Sequence, residues 1–380
     1  MSLLEGVLSL KTGQAKRHHV IPKFYLNGFA LNRKIQVQEL SGRAYSASTT
    51  NAFVVNNYYA IGSQETGTSL EFEDQLAKIE KHASIALRVL RNDRAIDIEE
   101  KAQIAEFILA QWVRGPDFRL SSESFNNLAI RDMARQSTET DLRLFHELSF
   151  RRLVSDDDWT LLWKKYTSDN GPEFENEVSY SFTQMKNFTR EAIKTFLLIR
   201  SWFVLEFEDP ILICGDRPVA LSDMQRFERS IVTPGLSKAD QVVFPLSRTK
   251  ALVLTLPPKE ESADQMAERQ QSVFWHRAEP KLGHEINQLI ARNAREKIFG
   301  HPSDAEYLKQ LSMPLNPILE WNTGANWDDA TSRMIKLKDS VVKAFKDISR
   351  QELAQIIAES HENGGSYELL FRELDLDSEN

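Results

Sequence analysis

Along the first sixty residues, apolar and polar positions alternate in short bursts. Ile35-Gln36-Val37-Gln38-Glu39-Leu40 has the two-residue period of a half-buried strand, with Gly42 after it as a turn. Ala52-Phe53-Val54-Val55, ended by Asn56-Asn57, reads as a second strand. After Gly67 the period lengthens. Thr68 with Glu71 is a capping-box signature, and Leu76, Ile79, Ala83, Leu87 and Leu90 recur at helical spacing up to Arg91. Asp97 is placed to cap a next helix with Ile104, Phe107, Ile108, Ala110 and Trp112 on its apolar face and Gly115-Pro116 as its stop. Helical signal continues to residue 200, with an acidic helix start at Asp156-Asp157-Asp158, a loop at Asn170-Gly171-Pro172 and a long amphipathic stretch over 178–199.

The pattern changes at Ser201. Runs 202–207, 211–214, 242–246 and 251–256 are apolar and strand-like, with Gly215-Asp216-Arg217-Pro218 as a turn. Residues 259–272 read as a charged, exposed stretch. Ile286, Leu289, Ile290, Ala294 and Ile298 predict an amphipathic helix over 284–299, and a further helix falls near 337–359 before an acidic tail. Strands, helices, strands and helices in that order predict an α+β fold. Its sheet is expected to combine N-terminal and central strands, with a large helical insert (68–200) packed beside it. The expected domains are an arm over 1–17, an α+β domain over 18–300 and a helical extension over 301–380.

Composition narrows the classes. The chain has 380 residues, 41% hydrophobic and 27% charged, which excludes a largely disordered protein. Its one cysteine, Cys214, excludes an internal disulfide and a Cys-based zinc or iron–sulfur site, and its place at the end of an apolar strand reads as an inert core thiol. With 47 Lys+Arg against 55 Asp+Glu the net charge is −8. That disfavours a surface coated by nucleic acid but leaves room for a local basic groove. There is no apolar run of the ~18 residues a membrane helix needs. The start lacks a basic n-region and a small-residue cleavage site, so the expectation is a cytoplasmic protein without a membrane partner.

The most unusual stretch is Arg17-His18-His19-Val20-Ile21-Pro22-Lys23-Phe24-Tyr25-Leu26-Asn27-Gly28-Phe29. Its opening is like that of some HNH nucleases, but that site needs further His or Asn ligands nearby, and the next histidine, His82, lies in a predicted helix. The bland reading makes the aromatics core anchors. The string His19-x-x-Pro22-x-Phe24-Tyr25-Leu26-x-x-Phe29 resembles the opening of domain-of-unknown-function family 4238. Further pieces follow in order: the helix bearing Glu80, Gln111-Trp112-x-Arg114-x-Pro116, the Trp202 strand, Gly215-Asp216-x-Pro218, Phe244-Pro245-Leu246-Ser247, and 287–299 with Asn293 and Arg295. The resemblance spans residues 18–300 and departs at Gly215, where the family usually has Ser. It implies grouping more than activity.

Glu80 falls on the apolar stripe of its helix, where a carboxylate is costly unless paired or bound to metal. Arg114, at the end of the next helix, is its natural ion-pair partner. The functional alternative brings His19, Glu80, Arg114 and Asp216 into one cleft. His19, Glu80 and Asp216 would hold a divalent metal or do acid–base work, and Arg114 would clamp a phosphate. Lys23, Arg292 and Arg295 would contact phosphate or nucleic acid, although such a charge run is commonly a solvated face. No Walker loop, Gly-x-Gly-x-x-Gly, Gly-x-Ser-x-Gly or His-Glu-x-x-His occurs. The expectations are therefore two. One is a nuclease-like hydrolase of phosphodiester or nucleotide-like substrates, in bacterial defence or conflict. The other is a non-enzymatic interaction or ligand-binding module.

Overall fold

A computed structural model describes residues 17–56, 68–92, 95–114, 127, 130–150, 152–168, 190–222, 236, 239–313 and 327–362. The fold is α+β, and the chain forms two compact units, each from two separate stretches. The expected loop at 170–172, the Gly115-Pro116 stop and the acidic tail lie outside the described residues.

The first unit spans Met1–Ser121 and Asn176–Asn322. It opens with β1 (Arg17–His19), the short helix α1 (Lys23–Leu26), β2 (Lys34–Glu39), β3 (Ala44–Ser48) and β4 (Val54–Asn56). Two long helices follow, α2 (Thr68–Arg91) and α3 (Ile98–Val113). Asp97 caps α3 through a full capping box with Glu100, which satisfies two of the otherwise orphaned amides of the first turn. After α4 (Glu139–Phe150) and α5 (Asp156–Thr167) of the second unit come α6 (Arg190–Ile199), β5 (Ser201–Glu206), β6 (Cys214–Gly215), β7 (Ala220–Ser222), β8 (Gln241–Pro245) and β9 (Lys250–Thr255). Then follow α7 (Ala263–Gln271), β10 (Phe274–Arg277), α8 (Pro280–Asn293) and β11 (Lys297–Gly300).

A five-stranded sheet runs β10-β5-β9-β8-β7, antiparallel except for the β10–β5 pair. Its strands alternate between two cores, as a two-residue period requires. Trp202, Val204, Phe244, Leu252 and Leu254 face one core with Leu87, Phe107 and Ile108 of α2 and α3. Phe203, Leu205, Val243, Ala251 and Val253 face the other, with Ile286, Leu289 and Ile290 of α8. A sheet covered on both faces reads as unbroken apolar runs, which is why β8 and β9 stand out in the sequence. N-terminal and central strands do join in one sheet: β3-β2-β11-β6, all antiparallel.

Within this unit the sequence expectations are refined. The helix expected over 284–299 stops at Asn293, and Lys297–Gly300 is a strand between β2 and β6. The charged stretch 259–272 is mostly exposed, as expected, and includes α7, closed at its start by a Ser262–Gln265 capping box. Of the strand expected over 211–214, only Cys214 pairs, in β6. The amides of Leu212 and Ile213 instead donate to the Arg248 carbonyl and the Asn287 side chain.

The second unit comprises Ser122–Glu175 and Thr323–Asn380. Its helices include α4 (Glu139–Phe150), α5 (Asp156–Thr167), α10 (Trp327–Phe345) and α11 (Arg350–Glu362), so the stretch expected as one helix near 337–359 is two. The short helix Ala305–Gln310 (α9) belongs to the first unit. Glu147 of α4, 1% exposed, is gripped by both terminal nitrogens of Arg350, by Arg143 and by the Val154 amide.

Candidate functional site

The opening motif wraps the first unit's core. Tyr25, Leu26 and Phe29 are fully buried. Tyr25 stacks on Phe244 at 5.0 Å, and Phe24 meets Phe107 at 5.4 Å. The Tyr25 hydroxyl donates to the Pro245 carbonyl and lies 3.4 Å from the Cys214 sulfur. Burial pushes the Cys214 thiol up to about 12, which makes it a poor nucleophile. The aromatics thus bind together the motifs at Phe24-Tyr25-Leu26, Cys214 and Phe244-Pro245-Leu246, which lie far apart in the chain.

The polar motif residues are held by two different sets of partners. Along the edge of the opening motif, Arg114 donates to Glu80 at 2.8 Å and to the Val20 carbonyl at 3.3 Å. The Arg114 side chain is 1% exposed and that of Glu80 29%, so the pair reaches solvent through the carboxylate. His19 ends β1, opposite Val54 of β4, and immediately precedes the Val20 that Arg114 holds. Gln111 lies one turn before Arg114 and one turn after Phe107, at positions i, i+4 and i+7 of one face of α3. It is 4% exposed, and neither its amide nitrogen nor its oxygen has a hydrogen-bond partner among the described residues. Buried carboxamides are nearly always satisfied, so this one stands out.

Asp216 is placed at the β6–β11 junction. Its carboxylate accepts the amides of Arg295 at 2.9 Å, Glu296 at 2.8 Å and Lys297 at 3.0 Å. Burial holds its carboxyl above the ordinary value, opposed by those three amides. Among the described residues no group of three or more His, Cys, Asp or Glu side chains is arranged to hold a metal ion. The Asp216 oxygens already carry three amide bonds, so the donor set expected for a metal does not fit one here. A Cβ at Gly215 would sit 3.3 Å from the Ala294 Cβ, a close approach that asks the neighbour to yield slightly. Lys23 and Arg292 are exposed, and Arg295 is half-buried with its amide on Asp216.

Lys101 was not singled out from sequence, and Gln111 only as the opening residue of its motif. Lys101 is fully buried, with its ammonium 5.0 Å from the Trp202 ring and bonded to the Gln270 and Ser272 carbonyls at the end of α7. Burial lowers it to about 8. Its spacing to Ile104, Ala105 and Ile108 already put it on the apolar face of α3. For Gln111 the available signal was its spacing from Arg114.

Among the described residues no helix is long and apolar enough to cross a membrane. No curated protein and no solved structure matches the chain. The family model described as "Protein of unknown function (DUF4238)" matches residues 17–304, well over half the chain and including every motif from the opening strand to β11, so the chain belongs to that family.

Proposed function

We propose that the first unit is a ligand-binding module whose polar wall is Glu80, Gln111 and Arg114. The observation that carries this reading is the buried, unpartnered carboxamide of Gln111. A carboxamide offers one acceptor and two donors on a flat edge, and that edge complements a ligand with the reciprocal pattern: a primary amide or a nucleobase. Arg114, fixed by Glu80 and the Val20 carbonyl, adds a rigid charge beside it. Thermal melting with a panel of nucleosides, nucleotides and primary amides tests this. At a hundredfold excess over Kd, a ligand bound only by the folded state adds about 2.7 kcal/mol. That corresponds to about 5 °C in melting temperature for a unit of this size. The shift is expected in the wild type and absent in Gln111→Leu. No shift with any member of the panel refutes the assignment.

A second reading draws on His19. An imidazole next to the carbonyl that Arg114 holds supports hydrolysis of a phosphodiester or nucleotide-like substrate, as a nuclease in bacterial defence would perform it. His19 would act as base, Glu80 as acid–base partner and Arg114 as phosphate clamp. This reading expects phosphodiesterase activity that His19→Ala abolishes at an unchanged melting temperature. A wild type without such activity, or an active His19→Ala, removes it.

A further inference from the structure

Glu80, Ala83, Leu87 and Arg91 lie on one stripe of α2, about three turns from end to end. The carboxylate at one end of the stripe meets Arg114. The guanidinium at the other end meets no carboxylate among the described residues. Its Nε and Nη2 are buried and donate to no described group, although the residue as a whole is only half-buried. It lies 5.8 Å from the centroid of the Tyr25 ring. A second cation stands beside it: Lys250, 8% exposed, donates to the Arg91 carbonyl at 2.7 Å. Glu206, 3.5 Å away, answers the Lys250 charge, while that of Arg91 is left unanswered.

The Arg91 guanidinium packs against a glycine of the opening motif. A Cβ on Gly28 would sit 3.0 Å from Arg91 Nη2 and 2.9 Å from the Leu246 carbonyl oxygen. Two features already ease the charge: the Tyr25 ring and the carbonyl end of α2. Both are weaker than charge-assisted hydrogen bonds to an oxyanion, for which a guanidinium edge is shaped. We propose that Arg91, beside the bare backbone of Gly28, is an oxyanion site that takes a phosphate group, free or at the end of a larger molecule. The site stands on residues other than the Gln111 wall.

The test is thermal melting of the full chain in sodium phosphate against sodium chloride at equal ionic strength, repeated with a phosphate monoester. The wild type is expected to show a saturable rise in phosphate. Arg91→Met should lose it, Arg91→Lys should need about tenfold more phosphate, since a point charge replaces the planar fork, and Gln111→Leu should keep it in full. Tighter saturation by the monoester identifies the larger ligand, and equal saturation identifies the free ion. A wild type that melts alike in phosphate and chloride overturns the proposal, as does a rise that survives in Arg91→Met. If Arg91→Met does not fold, an Arg91→Lys response as tight as the wild type's overturns it.

Discussion

Replacing Asp216 by Asn separates a structural carboxylate from a chemical one. The wild-type carboxylate accepts three amides from the turn that leads into β11. One of its oxygens takes the amide of Arg295, and the other takes those of Glu296 and Lys297. An asparagine keeps one acceptor oxygen and turns an NH2 toward the remaining donors. In its better orientation one amide loses its partner and faces another donor. In the worse, two do. Leaving a buried donor unsatisfied costs about 1–3 kcal/mol, and hydrogen bonds to a charged acceptor are worth about 1.5–3 kcal/mol. Removing a buried charge returns part of this, since burial already holds the carboxyl above its ordinary value. The net expectation is a loss of about 2 kcal/mol, or a fall of about 4 °C in melting temperature. The assay is thermal or urea unfolding followed by tryptophan fluorescence, which reports on the buried Trp202 of the same unit. A melting temperature within a degree of the wild type would show that the amides do not need the carboxylate and would refute the clamp.

Three other outcomes are expected. Glu147→Gln strips the charge from a buried carboxylate held by the more exposed Arg350 and Arg143, and weakening such charge-assisted hydrogen bonds costs about 1.5–3 kcal/mol, read as an earlier urea midpoint. Lys101 is about 8 in the folded protein against an ordinary 10.5, so the folded state sheds its proton first, and stability rises with pH between these values by up to about 3 kcal/mol; Lys101→Met should lose this slope in urea titrations at pH 8 and pH 10. His146 lies 4.6 Å from Phe150 and 2.6 Å from the Tyr166 hydroxyl, and burial lowers it to about 4. Its contribution is therefore present above the ordinary 6.5 and is lost as pH falls toward 4, at most about 3 kcal/mol and less after allowing for its partial exposure; His146→Phe should flatten the acid limb of the stability curve.

The long elements were legible because period accumulates with length. Thr68–Arg91 gives many repeats of one stripe, and the Asp97–Glu100 box fixes the start of α3. Ile298 misled because it falls eight positions after Ile290 and so fits a helical stripe, whereas a four-residue strand carries almost no period of its own. Helix α7 was hidden by its composition: its exposed residues leave only the capping box as signal. Glu80 was legible as a carboxylate in need of a partner, because its position on the stripe follows from the period alone. Gln111 and Arg91 were not. What marks them is a missing partner, and that depends on how separate segments come together in three dimensions.

The most direct measurement is the melting temperature of ligand-free Gln111→Leu beside the wild type. If the carboxamide is held ready for a ligand and otherwise unsatisfied, an apolar side chain of similar volume removes a cost of about 1–3 kcal/mol. The account predicts that the variant melts about 2–6 °C higher while losing its response to the ligand panel. A variant that melts lower than the wild type would mean that the amide already has its partners within the fold, and the binding wall at Glu80, Gln111 and Arg114 would be contradicted.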